Sequence, residues 1–405
     1  MISVRVLVTG ADGFIGTLLI EKLKQKKHMV TAFQGDVRDA ENVKRNFEQA
    51  KPNAVIHLAA VLDETSKDLW SVNVQGTKNV LDNCKPDSRF VFPSSIGIFG
   101  ESEYPIAENA SYNPETEYEK TKMEAEKLVL ASSTNYIILR TTIVYGPNQF
   151  WRQIFRAAQK DYPLIGNGAN YFHLIFAYDF IDAIILALET RNRRQEYHLA
   201  GPDPRTYRET YQTICKTLSI PMTTKTIPEW KIKTIARFYE FYCKIAGKKP
   251  NVTMLPSSID RLTRNRIVDT KKAELELGFK PHYTLEQGMR ITAQQLGLTT
   301  NVAANQQPGQ EQMPATQANL VVNLTKPLKP GSEKSIKSTK TYYSRTRLMT
   351  KHEQSRKQRS KHGKRAKRGD SGKHYKRNKP AKKPRAKPRK TTSAGKTTGI
   401  RWPVD

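Results

Sequence analysis

The chain has 405 residues, enough for two or three ordinary domains, and a formal net charge of +30. That charge is uneven: residues 301–405 hold 28 Lys and Arg against 5 Asp and Glu, so the first 300 residues keep only +7. Three scattered cysteines, Cys84, Cys215 and Cys243, form no CxxC pair or Cys/His cluster, so neither a disulfide framework nor a zinc site is indicated.

Residues 4–8 (VRVLV) are a β-branched run that stops at glycine, as a buried parallel strand does. No charged leader or cleavage site precedes it, so a cytoplasmic location is expected. Phe14, Ile15, Leu18, Leu19 and Leu23 then recur at helical spacing. Residues 29–33 read as a strand, 40–50 as a helix, 54–58 as a strand and 69–84 as a helix. Residues 89–93 form a strand that delivers Ser94 and Ser95 at its end. A helix over 118–130 and a strand over 136–140 follow. Strands alternating with helices predict an α/β fold, a doubly wound parallel sheet covered on both faces.

After Pro147 the rhythm breaks, and only 178–189 and 197–200 read as one more core helix and strand. The expected organisation is a dinucleotide-binding core over 1–150, with 174–200 returning to it. An interleaved smaller substrate lobe occupies mainly 151–298. The best apolar stretch, 174–188, is cut by Asp179 and Asp182, so no transmembrane segment is expected. From 299 to 405 the composition turns Gln/Asn/Pro-rich and then Lys/Arg-rich. Such a segment cannot bury enough apolar surface to offset its ordering entropy, so a disordered basic tail is expected.

Gly10, Gly13 and Gly16 lie between a strand and a helix, the context in which a glycine pattern cradles phosphate. The first permits the tight turn, the second close backbone approach to a pyrophosphate, the third close helix–strand packing. The bland reading is a glycine-rich turn that binds nothing. Tyr118 and Lys122 are four apart and share a helix face. A neighbouring ammonium lowers a tyrosine pKa toward a useful base, although such pairs are also common on exposed helices. Lys120 faces away. Ser95 stands just past a strand, where ligands bind in open α/β sheets, yet Ser94 and Ser95 also suit a simple turn.

Taken with GDVRD at 35–39, HLAA at 57–60, NVQGT at 73–77, RTTIVYGP at 140–147 and the run over 269–288, these motifs resemble one family across residues 2–298. It is the extended short-chain dehydrogenases/reductases of the NAD-dependent epimerase/dehydratase type, which have a Rossmann core. The resemblance implies an NAD(P)-dependent oxidoreductase, epimerase or dehydratase. Its small-molecule substrate would be a sugar nucleotide or a less polar carbonyl compound, and its assembly a homodimer. It implies Tyr118 as general acid/base, Lys122 on the nicotinamide ribose and Ser95 on the substrate oxygen. Gly10, Asp12, Gly13, Phe14, Ile15 and Gly16 would form the phosphate turn. Asp36 and Val37 would meet the adenine, Ala59 and Ala60 would lie along the cofactor, and Asn73 would stand beside the site.

Two positions depart from the pattern. Gln34 stands where many relatives carry an acid for the ribose 2′-hydroxyl, and no arginine stands there for a 2′-phosphate, which leaves NAD and NADP both open. Ile143 replaces an asparagine that sugar-nucleotide enzymes often carry, and cannot donate its hydrogen bond. The helical stretch 230–246 sets Ile232, Ile235, Ala236, Tyr239, Tyr242 and Ile245 near one face. A lid packed over the substrate lobe is the favoured reading, an interfacial helix the other. The basic runs of the tail read either as a solvated extension or as a polyanion binder without sequence preference, nucleic acid included. The alternative function is a non-catalytic nucleotide-binding scaffold whose tail does the binding.

Overall fold

The computed structural model describes residues 3–299 except Lys249. The expected basic tail lies outside the described residues. Six strands form one sheet: β1 (Arg5–Thr9), β2 (Met29–Ala32), β3 (Ala54–His57), β4 (Arg89–Ser95), β5 (Asn135–Thr141) and β6 (Gln195–Leu199). They are parallel throughout and run across the sheet as β6-β5-β4-β3-β1-β2.

Alternation along β1 explains the layering. Val6 and Val8 enter one core with Leu19 and Leu23 of α1 (Phe14–Gln25). Leu7 enters the opposite core, with Val43, Val80, Ala125 and Val129. That second core covers α2 (Ala40–Ala50), α3 (Thr77–Asp82) and α4 (Glu117–Ala131). A strand apolar on both faces requires a helix layer on each side, so the period-two pattern here dictates a doubly wound sheet.

Beyond β5 the chain forms α5 (Gln149–Gln159) and α6 (Ala177–Glu189), then returns to pair β6 with β5. Ile143, half-buried, begins a short strand, Ile143–Tyr145, that pairs with Leu174–Phe176 beside the sheet. The remaining helices are α7 (Tyr207–Thr217), α8 (Glu229–Ile245), α9 (Pro256–Thr263) and α10 (Leu285–Gln295).

Two expectations change. The helix over 69–84 is interrupted: Ser71–Gly76 is π-helical, with α-helical residues 69–70 before it and Thr77–Asp82 after it. A π turn inside a helix often marks a functional site, and this one carries Asn73. The favoured lid reading of α8 also fails. Only Ala236 and Cys243 are buried, whereas Trp230, Phe238 and Ile245 are 71%, 70% and 71% exposed. At 100° per residue Ala236 and Cys243 point together, and Trp230, Phe238 and Ile245 occupy the opposite arc. Among the described residues no helix is long and apolar enough to cross a membrane.

Candidate active site

The glycine turn is built by exclusion. Gly10 has φ +65, and a Cβ there would lie 2.7 Å from both Leu58 C and Ala59 N. Left-handed backbone and close approach of the β3 end both demand glycine. A Cβ on Gly16 would stand 2.3 Å from Gly10 O, so α1 can sit on the turn only without one. Gly13 differs: its φ of −75 suits any residue, and its Cβ would meet only Gly10 O, at 3.1 Å. Asp12 and Gly13 are exposed. Gly13 caps α1 without a side chain, and the first turn of α1 carries no acid. Unpaired N–H groups and the positive helix end are therefore left to an anion. A backbone cradle that a larger side chain at Gly13 would fill fits a pyrophosphate. Ile15 packs on the core, and the Phe14 ring lies against Gly146.

A directed hydrogen-bond chain runs from this turn. Thr9 Oγ1 accepts from Ala59 N (3.1 Å) and lies 2.7 Å from His57 Nδ1. Thr77 Oγ1 donates to Asn73 O (2.7 Å) and lies 3.0 Å from His57 Nε2. Because the Thr77 proton is already taken, His57 carries its own proton on Nε2 and accepts at Nδ1 from Thr9. Burial, then the Lys122 charge, holds the His57 pKa down at about 3, so the ring is neutral. Asn73 continues the chain. Its Oδ1 accepts from Val61 N (2.7 Å), and its Nδ2 donates to Val61 O (2.9 Å) and Thr121 Oγ1 (3.0 Å). Thr121 Oγ1 donates in turn to Tyr118 O (2.7 Å). Both amide protons of Asn73 are thus engaged within the chain. Instead of offering an N–H to the cofactor, Asn73 struts the segment after β3 against α4.

Lys122 of α4 reaches the strand end that bears Ser95, and Tyr118 lies one turn earlier on the same helix. Lys122 is 5% exposed; its Nζ donates to Pro93 O (2.6 Å) and sits 4.1 Å above the Phe92 ring centre. One hydrogen bond therefore ties α4 to the strand end that bears Ser95. Burial pulls the Lys122 pKa down to about 8, opposed by Glu126. Ser95 Oγ accepts from Gly97 N (3.1 Å), which leaves its own proton available to a ligand. Ser94 is buried.

Tyr118 is half-buried, and burial pushes its pKa up to about 12; Arg261 opposes that rise, while Glu119 and Glu64 add to it. The expected lowering by Lys122 is not found, because Nζ is held by Pro93 on the strand. Lys120 pairs with Glu117 (2.8 Å).

Asp36 and Val37 are fixed from two sides. Arg38 grips the Asp36 carboxylate with its Nε (3.0 and 2.9 Å) and Nη2 (2.6 Å), and its Nη1 bonds Asp68 (2.7 Å). Burial alone would raise the Asp36 pKa, but Arg38 outweighs it and holds the carboxyl below its usual range. Asn79 Nδ2 donates to Val37 O (2.9 Å), and the Val37 side chain lies against Gly76. Ala59 is half-buried and Ala60 exposed, immediately beyond β3 and beside the Gly10 turn.

Sequence reasoning missed Glu119. Its carboxylate closes a capping box with Thr116, accepts from Arg266 Nη2 (2.6 Å) and lies where a Cβ on Gly97 would stand. It locks the start of α4 to the C-terminal part of the chain. The T-x-x-E spacing was readable as a cap; the arginine partner was not.

Comparison with known proteins agrees with this geometry. The NAD dependent epimerase/dehydratase family matches residues 6–200. An uncharacterised UDP-glucose epimerase of Bacillus subtilis (strain 168) is 30% identical over 230 residues, 45% of this chain and 72% of that protein. The UDP-glucose 4-epimerase of Vibrio cholerae is 29% identical over 325 residues, 71% of this chain and 94% of that protein. Among solved structures, the UDP-glucose 4-epimerase of Thermus thermophilus in complex with NAD shares the fold, with a TM-score of 0.57 at 21% identity; the match covers 72% of this chain and 98% of that one. With its glycine turn, strand-end serine and tyrosine–lysine helix on one parallel sheet, the chain belongs to the NAD dependent epimerase/dehydratase family of extended short-chain dehydrogenases/reductases, enzymes that work with a nicotinamide dinucleotide.

Proposed function

We propose that this chain oxidises and re-reduces a hydroxyl-bearing carbon of a sugar nucleotide, with Tyr118 as general acid/base. The observation that carries the reading is the placement of three groups at the C-terminal ends of β1 and β4, the two strands that flank β3. These are the free N–H groups of α1, the donor hydroxyl of Ser95 and the Lys122–Pro93 tie. The nicotinamide, when bound, supplies a reversible two-electron acceptor. Residues 1–150, with 174–200, hold the cofactor, and 151–298 mainly shape the substrate site. Gly10, Asp12, Gly13, Phe14, Ile15 and Gly16 receive the pyrophosphate, Asp36 and Val37 the adenine, and Ala59 and Ala60 flank its path.

Ser95 donates to the substrate oxygen and orients it. Tyr118, protonated in its half-buried setting, gives its proton to that oxygen in one direction and takes it back in the other. The positive charge that favours the phenolate comes from Arg261, and from Lys122 if its Nζ leaves Pro93 for the ribose side of the helix. Gln34 carries no charge, and Arg38, the arginine next after it, is engaged with Asp36 and Asp68. A 2′-phosphate would find no free guanidinium in Arg38, so the cofactor is NAD.

Ile143 favours a second reading, a substrate less polar than a nucleotide sugar at the same carbon chemistry. Mass spectrometry of the co-purifying nucleotide, followed by turnover on UDP-glucose and a sterol alcohol, tests both. Retained NAD with turnover of UDP-glucose supports the first reading. NAD binding without turnover of any alcohol or carbonyl would favour a scaffold. Sedimentation tests the implied homodimer.

A further inference from the structure

We propose that the outward face of α8 is a docking surface for an anionic lipid bilayer. The inference is independent of the substrate reading. Its ground is a helix turned the unexpected way round. Seventeen residues give α8 a length of about 25 Å. Its inner side is anchored: Ala236 and Cys243 are buried, Lys233 pairs with Glu229 and with Asp260 (2.7 Å) of α9, and Thr263 Oγ1 donates to Glu229 (2.9 Å). Its outer side carries Trp230, Ile235, Phe238, Phe241, Tyr242 and Ile245, all exposed. Contiguous apolar surface of that kind marks an interaction site, whereas scattered single residues do not.

Charge selects the occupant. Lys231, Arg237, Lys244 and Lys248 are exposed around the apolar arc. Lys248 lies over the Tyr242 ring, 5.6 Å from its centre. The acids of the helix do not enter the arc: Glu229 is held by Lys233 and Thr263, and Glu240 is half-buried. A second copy of the chain would set one basic fringe against another and leave like charges opposed. A bilayer with anionic headgroups accepts both parts, the aromatic side chains at the headgroup–acyl boundary and the lysines on the phosphates. Stable attachment generally needs two signals. The 28 basic residues beyond position 300 provide the second within the same chain.

The test uses the full-length protein and two vesicle types, phosphatidylcholine alone and phosphatidylcholine with phosphatidylglycerol. Salt is held near physiological strength, where the screening length is about 8 Å, so that the basic tail and the helix act together in wild type and variants alike. Wild type should float with the anionic vesicles, and brominated acyl chains should quench Trp230, an effect absent in Trp230→Tyr. Phe238→Ser with Phe241→Ser removes two exposed phenyl groups and should lower partition at least about tenfold, with NAD affinity and melting temperature unchanged. Equal partition of that variant and wild type would overturn the proposal, as would bromolipid quenching no greater than in Trp230→Tyr. A lipid-free dimer that the double variant dissolves would also overturn it, by assigning the face to a second copy.

Discussion

Gly13 and Gly10 separate cofactor binding from folding, because the structure gives the two glycines different burdens. Gly13→Val changes an exposed residue whose φ of −75 and ψ of 169 valine accepts, and the nearest atom to its Cβ is Gly10 O at 3.1 Å. Loss of a tolerated cap glycine should cost no more than about 1 kcal/mol of stability. The branched side chain would nonetheless stand over the N–H groups of α1 and hold a pyrophosphate away. Two charge-assisted bonds of about 1.5–3 kcal/mol each would be lost, a weakening of roughly 10²- to 10⁴-fold in NADH affinity. Gly10→Ala has the opposite profile. Left-handed backbone costs about 1–2 kcal/mol. Overpacking against the Leu58–Ala59 backbone adds about 1–3 kcal/mol. That variant should melt several degrees lower whether or not cofactor is present. Calorimetric titration with NADH and thermal melting of both variants decide the matter. Parental NADH affinity in Gly13→Val would refute the phosphate assignment, and a parental melting temperature in Gly10→Ala would refute the steric argument.

Three further outcomes are expected. The Lys122 pKa lies near 8 in the folded chain against an ordinary 10.5, so the unfolded chain binds the extra proton between those values and stability rises with pH across that window. Relative to Lys122→Met, the parent should gain up to about 3 kcal/mol between pH 8 and 10.5 in denaturant titrations, at 1.36 kcal/mol per pKa unit, and a flat difference would contradict it. His57 should remain neutral with its proton on Nε2 at pH 5 in nitrogen-15 spectra, and its share of stability should be lost as pH falls from 6.5 toward 3; a doubly protonated ring at pH 5 would break the proposed hydrogen-bond chain. The full chain should bind duplex DNA without sequence preference, with a log–log salt slope of about −0.9 per phosphate neutralised, and salt-independent binding would remove the basic tail from that role.

Local pattern made much of the fold readable. Val6, Leu7 and Val8 alternate between two cores, and the glycines follow directly, so strand, turn and helix are all written between Arg5 and Gln25. Ser95 was placed by the strand that ends on it, and Tyr118 by helical spacing. The unread features are those made by distant partners. No local signal says that Asn73 will engage Val61 and Thr121, that a π turn will carry it, or that Arg266 will meet Glu119 from 147 residues away. Lys122 shows the same limit: spacing sets it on the face of Tyr118, but Pro93 on another element decides where its ammonium rests. The α8 helix was misjudged because its apolar positions, taken by hydrophobicity alone, do not reveal which arc meets α9.

The claim that Tyr118 moves the proton is tested most directly by single turnover. NAD-loaded enzyme is mixed with whichever of UDP-glucose or the sterol alcohol supports turnover, and absorbance of the reduced nicotinamide is followed in wild type and Tyr118→Phe. Loss of a general acid/base should slow the transient about 10²- to 10⁴-fold while NAD affinity stays at the parental value. A Tyr118→Phe transient as fast as wild type would contradict the assignment and leave the proton to another group.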